Sequence, residues 1–115
     1  MKNLGIGVDI VGIERFRKLP YKYNESFYKK IFSHSEIKYC LSHKNSSQHF
    51  AGKFALKEAV IKSIREKIEM RDIVTTHISK NKPDIVLTKK LPYRFLVSIS
   101  HEKDYAIAAV ISFIT

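Results

Sequence analysis

"DYAIAAVISFI", Asp104 to Ile114, alternates with a period of two: Tyr105, Ile107, Ile111 and Phe113 share one side of an extended chain, and Ala106, Ala108 and Ser112 share the other. A strand face made of small side chains admits a close neighbour, and a helix laid across a sheet is an arrangement that uses it. Upstream lie three more short β-rich runs, "RFLVSIS" (Arg94–Ser100), "DIVLT" (Asp84–Thr88) and "DIVTTHIS" (Asp72–Ser79), the last two joined by "KNKPD", which reads as a hairpin connection. Before them, "NSSQ" at Asn45–Gln48 is a helix start, and a helix is expected from about Ser47 to Lys67, with Phe50, Phe54, Val60, Ile61, Ile64 and Ile68 on one side. "SHSE" at Ser33–Glu36 has capping-box spacing, with a helix following through about Leu41. Near the N-terminus, "GIGVDIVGIER" (Gly5–Arg15) reads as a buried strand through Ile6, Val8, Ile10 and Ile13, broken by Asp9. One strand, then helices, then several strands argue an α+β fold in which the first strand returns to join the others: an antiparallel-type sheet packed on one long helix, with shorter N-terminal helices.

At 115 residues the chain fits a single domain, taken as 1–115, with 44% hydrophobic residues and no low-complexity tract, as in a folded protein. Charges break every apolar run well short of the roughly 18 residues a bilayer crossing needs. Cys40 is the only cysteine, which excludes an internal disulfide and fits a reducing compartment; a cytoplasmic protein without membrane contact is expected. The net charge of +10 projects a positive field and points to an anionic partner: nucleic acid, an acidic protein or a phosphorylated small molecule. The densest run of cations is "ERFRKLPYKYNESFYKK" (Glu14–Lys30), which by itself reads equally as a solvated face. Phe27, Tyr28, Phe32, Tyr39, Phe50 and Phe54 stand among apolar residues at helical spacing and read as core, not as a base-stacking platform.

A carboxylate inside an apolar strand needs a partner. If the first strand packs on the long helix, Asp9 and Glu58 converge, and two carboxylates with positions left open suit Mg²⁺, which prefers oxygen ligands and keeps waters or phosphate oxygens. Lys53, Lys57 and Lys62 on the same helix would flank an anion bound beside it, although Glu58 and Lys62 also have the spacing of an ordinary i,i+4 pair. His101, at the end of "SIS", is placed to bind phosphate, act as a base or cap a turn. Cys40, His43 and His49 have a faintly zinc-like spacing with no second cysteine pair, and zinc is not expected. "GIG" at Gly5–Gly7 extends to no G-x-G-x-x-G, and no G-x-x-x-x-G-K-[ST] occurs.

"GIGVDIVGIER", "FAGKFALKEAVIK" (Phe50–Lys62) and "SISHEKDYAIAAV" (Ser98–Val110), in this order, resemble the holo-acyl-carrier-protein synthases, the small-type 4′-phosphopantetheinyl transferases. The resemblance implies Mg²⁺-dependent transfer of 4′-phosphopantetheine from coenzyme A to a serine of an acyl carrier protein, with release of 3′,5′-ADP. It implies Asp9 and Glu58 as metal ligands, Lys62 at the phosphates together with Lys57, and His101 near the 3′-phosphate end of the nucleotide. Lys53 stands where the family often has Arg, and Lys82 with Pro83 resembles a G-K-P turn close to the adenine, with Asn81 in place of its glycine. In the loop Ser42–Gln48, Lys44 is the one evident cation. Glu58 or a metal-associated water is the expected acceptor of the serine proton. Arg15, Arg17 and Lys22 match the cations that similar enzymes present to the carrier's acidic helix, and the short type implies a homotrimer. The chain departs from the family after Lys62, where "SIREKIEM" replaces a glycine-rich turn near the phosphates. Two rival readings are a basic nucleic-acid-binding α+β domain and an inactive relative that only binds the carrier.

Overall fold

A computed structural model of the chain describes residues 1–79 and 82–115. In chain order the elements are β1 (Lys2–Gly12), α1 (Glu14–Arg17), α2 (Glu25–Ile31), α3 (His34–Leu41), α4 (Ser46–Ser63), β2 (Ile73–Ser79), β3 (Lys82–Leu87), β4 (Arg94–His101) and β5 (Tyr105–Ile114), with single 3₁₀ turns at Tyr21–Tyr23 and Met70–Asp72. The mixed α+β architecture is the expected one. The strands divide into an antiparallel sheet of order β1-β5-β4 and an antiparallel β2-β3 hairpin. β1 returns to pair with β5, Asp9 opposite Ala108. Asn81, the expected left-handed turn residue, lies outside the described residues.

α4 crosses the three-stranded sheet, and the small face of β5 is what it rests on: Ala106, Ala108 and Ser112 are fully buried, and the Ser112 hydroxyl donates to the Ser63 carbonyl oxygen at 2.8 Å. β1 approaches as closely on its odd-numbered face. A Cβ on Gly7 would overlap the Ala59 carbonyl oxygen, and one on Gly5 the Ser63 carbonyl oxygen. The buried face of β1 is therefore Gly5, Gly7, Asp9 and Val11, opposite to the expectation, while Ile13 is buried as expected but lies past the end of the strand, at the start of α1. Ile6, Val8 and Ile10 point away from α4, with 75%, 59% and 58% of their surface exposed. A strand's two faces cannot be told apart by hydrophobicity when the inner face is held by glycine.

The capping box at Ser33 is present, its hydroxyl accepting from Glu36 N and Glu36 accepting from Ser33 N. α4 ends at Ser63, short of Lys67, because Ile64 turns to extended backbone. It is buried on more than one side: Phe50, Ala51, Gly52, Lys53, Ala55, Leu56, Lys57, Ala59, Val60 and Ser63 all lie inside. An α-helix enclosed by the sheet, the short helices and the hairpin carries no single apolar stripe, which is why the one-sided reading was incomplete. Against its N-terminal half pack Phe16, Tyr28 and Phe32, their rings meeting Phe50 with centroids 6.3, 4.6 and 5.1 Å apart. The aromatic residues are thus largely core, with Phe27 at the surface.

Candidate active site

The glycine contacts bring β1 onto α4 in a fixed register, Gly5 at Ser63 and Gly7 at Ala59, so that Asp9 arrives beside the next turn. There Lys62 Nζ lies 3.0 Å from Asp9 Oδ1 and 3.1 Å from the Val8 carbonyl oxygen. The partner that makes Asp9 tolerable in the strand is therefore Lys62, which pairs across the layers and not with Glu58 along its own helix. Glu58 sits one turn before Lys62, half-buried, and makes no ion pair among the described residues. Asp9 and Lys62 thus meet across the β1–α4 contact, with Glu58 one helical turn before Lys62 on the same helix.

These donors fit a hard divalent cation. Asp9 comes from β1 and Glu58 from α4, Glu58 makes no ion pair among the described residues, and no cluster of three or more His, Cys, Asp or Glu exists among them, so at most two protein carboxylates would serve an ion here. The protein can offer an ion here two carboxylates, leaving the other positions to water and phosphate oxygens, the binding habit of Mg²⁺.

The other two lysines of α4 behave differently. Lys57, expected at the phosphates, is fully buried, and its ammonium donates to Ile31 O and Glu36 Oε1 at 2.7 Å and to Met70 O at 3.2 Å. With three protons and three acceptors it has no donor left for a ligand, so its expected contact with substrate is corrected to an internal one. Glu36 completes the network by accepting from Thr75 N and Thr75 Oγ1 at 2.7 and 2.6 Å. Burial alone would push the Glu36 carboxyl up; the Lys57 charge and the hydrogen bonds from Lys57, Thr75 and Ser33 outweigh it and bring it below the usual carboxylate range. Lys53 is also buried, donating to Thr75 Oγ1 at 2.7 Å, but its ammonium reaches the wall of a small pocket 3.4 Å from His77 Nε2. Burial holds its pKa below the usual lysine value.

That pocket, about 60 Å³, is bordered by Lys53, Thr75, His77, Pro83 and His101, with Tyr39, Gln48 and His49 closing it. His101 Nε2 is 2.9 Å from the Gln48 amide nitrogen. Lys53, Pro83 and His101 are accordingly together, Lys82 is exposed just before Pro83, and Lys44 is exposed in the turn before α4 and does not line the pocket. Sequence reasoning missed Thr75, His77 and Gln48 as pocket residues and noted His49 only for its spacing to Cys40 and His43, since the hairpin and α4 bring them together only on folding. Cys40 is buried, its thiol pushed up to about 12 by burial, and the rings of His43 and His49 lie against each other, tilted by 36°.

Arg15, Arg17 and Lys22 are exposed around α1 and the turn after it. Arg15 lies 5.1 Å above the ring of Phe54, one helical turn before Glu58, so the basic segment borders the carboxylate flank. Arg17 is held by Glu14 at 3.5 Å and the Lys103 carbonyl oxygen at 3.2 Å.

Two acidic side chains with a lysine beside an open flank, and a second cationic pocket on the same helix, define a protein equipped for a phosphorylated substrate. Residues 5–110 match the 4′-phosphopantetheinyl transferase superfamily, and the chain belongs to that family. It is 40% identical over 112 residues to the holo-[acyl-carrier-protein] synthase of Thermodesulfovibrio yellowstonii, covering 93% of this chain and 96% of the relative, and 39% identical over 116 residues to that of Ehrlichia chaffeensis, covering 94% of each. Among solved structures, a holo-(acyl-carrier-protein) synthase from Bacillus anthracis in complex with CoA (3′,5′-ADP) superposes with a TM-score of 0.81 at 27% identity, covering 96% of each chain. The Helicobacter pylori holo-[acyl-carrier-protein] synthase in complex with coenzyme A gives 0.78 at 35% identity, over 94% of this chain and 99% of that one.

Proposed function

We propose that this chain transfers the 4′-phosphopantetheine arm of coenzyme A to a serine hydroxyl of an acyl carrier protein and releases 3′,5′-ADP. The observation that carries the reading is the meeting of Asp9 with Lys62 across the β1–α4 contact, one helical turn from Glu58. The full-length similarity to named synthases, and the coenzyme A held by two of the solved relatives, support it.

Asp9 and Glu58 would hold a Mg²⁺ ion, which when bound supplies Lewis-acid polarisation of the diphosphate. Lys62, half-exposed, is placed to neutralise charge on the departing diphosphate oxygen. Glu58 is a candidate acceptor for the serine proton. Lys53 and His101, with Lys82 and Pro83 at the rim, would hold the nucleotide end, while Lys44 remains available at the edge. Arg15, Arg17 and Lys22 would receive the carrier's acidic helix and bring its serine toward the flank.

Lys53 and Lys62 are nine residues apart on α4, so at about 100° per residue they leave opposite sides of the helix. One copy therefore presents its nucleotide pocket and its carboxylate flank in different directions. A homotrimer that sets the pocket of one copy against the flank of the next would complete the site, and the exposed apolar side of β1, β5 and β4 provides the surface for it. Incubation with coenzyme A, Mg²⁺ and apo-carrier, followed by mass spectrometry of the carrier, tests the reading: a gain of one phosphopantetheine is expected, and no gain on a panel of apo-carriers rejects it. Salt-sensitive nucleic-acid binding that survives loss of Asp9 is what the rival would show instead.

A further inference from the structure

Four of the five histidines gather at one end of the molecule. His49 and His77 line the 60 Å³ pocket with His101 and Lys53. The rings of His43 and His49 lie tilted by 36° with centroids 4.0 Å apart, and Tyr39 stacks on His77 at 4.4 Å. The surrounding hydrogen-bond partners constrain the forms these rings can take. Lys53 Nζ lies 3.4 Å from His77 Nε2, and an ammonium there can only donate, an arrangement that suits a neutral His77 with its lone pair on Nε2. His43 Nδ1 donates to the Tyr39 carbonyl oxygen at 2.8 Å. The Gln48 side chain beside His101 can present either end of its amide, so it accommodates His101 neutral or charged.

The groups around the two rings are Lys53 from α4, Tyr39, Cys40 and Glu36 from α3, His43 from the turn, His101 from β4 and Lys82 at the rim from β3. No carboxylate lines the pocket among the described residues, and Glu36 behind it is bonded to Lys57 and Thr75. Burial first, then His43, His101, Lys53 and His77, lowers the pKa of His49 to about 4, and burial with Lys53 and His43 lowers that of His77. A dianionic group in the pocket reverses this balance, because a charged imidazole beside it donates a charge-assisted hydrogen bond and offsets the repulsion from Lys53.

We propose that His49 and His77 are proton-coupled readers of a phosphate monoester: entry of the monoester into this pocket loads protons onto these rings, and binding tightens as pH falls. The volume suits one phosphate group and not a nucleoside. The inference rests on the reading of the pocket as the holder of the nucleotide's 3′-phosphate, and adds to it which residues sense the charge and how.

The test is calorimetric titration of the whole protein with 3′,5′-ADP at pH 7.5 in buffers of different ionisation enthalpy. At that pH the phosphates can only release protons on entering a cationic site, so net uptake reports on the protein. Uptake approaching one proton is expected, with affinity rising about tenfold per pH unit at full coupling of one proton. Adenosine 5′-phosphate, which lacks the 3′-phosphate, is expected to show no uptake, and the double variant H49F/H77Q to lose it while the remote His34→Gln keeps it. Binding of 3′,5′-ADP without uptake overturns the proton coupling and leaves the proposed transferase function standing. Unchanged uptake in a folded double variant overturns the assignment to these residues. No binding overturns the inference in either case, and if carrier modification is absent too, the functional reading falls with it.

Discussion

Lys57 Nζ stands 2.7 Å from Glu36 Oε1 with both side chains wholly buried, joining the middle of the long helix to the start of α3. Through Glu36 Oε2 the same carboxylate receives Thr75, and Thr75 receives Lys53, so one buried network connects the core of α4 to the wall of the pocket lined by Lys53, His77 and His101. Glu36→Gln and Lys57→Met each leave a buried charge without its counterion and are expected to cost about 3–5 kcal/mol in urea unfolding. In a double-mutant cycle the combined loss should fall well short of the sum. The lowered Glu36 carboxyl contributes stability that is present above the ordinary glutamate range and lost as pH falls through its folded value. Acid unfolding of E36Q should lack that component.

Gly7 faces the Ala59 backbone with no room for a Cβ, whereas Gly12 has nothing within 4 Å of where its Cβ would be. A backbone carbonyl cannot swing aside as a side chain can, so Gly7→Ala is expected to cost about 3 kcal/mol, the upper end for overpacking. It should lower transfer as well, by shifting Asp9 away from Lys62. Gly12→Ala should change the melting temperature little. Equal effects at the two positions would contradict the close strand–helix contact.

Asp9→Asn and Glu58→Gln remove charge from the flank without removing volume. Each is expected to lower Mg²⁺-dependent carrier modification by at least about 10²-fold. Neither residue is in the close-packed core, so unfolding free energy should shift by no more than about 1 kcal/mol. A variant that keeps full activity would exclude that carboxylate from the site.

The outward side chains Ile6, Val8 and Ile10 offer an apolar stripe on β1 that a soluble monomer has no use for. Val8→Glu is expected to convert a trimer into monomers in analytical ultracentrifugation. Its circular dichroism should be unchanged and its transfer activity lost. A wild-type protein that sediments as a monomer would remove the basis for a site shared between copies.

His49 titrates near 4 in the folded chain, against about 6.5 when exposed. Between those values the unfolded chain binds a proton that the folded chain refuses, so stability should decline as pH is lowered across that window. His49→Phe should flatten the dependence of the melting temperature on pH there, leaving the Glu36 component at lower pH.

Much of this architecture can be read along the chain. The capping box at Ser33, the long helix, the hairpin and the small face of Ala106, Ala108 and Ser112 are local patterns, set by backbone hydrogen bonding and side-chain periodicity, and they appear in the structure with shifts only at element ends. Asp9 and Glu58 could be singled out because a carboxylate in apolar surroundings is anomalous wherever it occurs, and the family motifs named their neighbours.

Other features depend on which side of an element faces its partner, and no local pattern encodes that. Hydrophobicity assigned the wrong face of β1 to the core, since glycine marks the inner face only through the helix that closes on it. Lys53, Lys57 and Lys62 are alike in sequence, yet one looks into a pocket, one is locked inside by Glu36 and one pairs with Asp9. Composition and periodicity determined that this protein would be a basic α+β domain with two misplaced acids. Which lysine meets which charge, and that four histidines share one corner, was decided by packing, because charges act through space over a few ångströms and only folding brings residues so distant in sequence to that range.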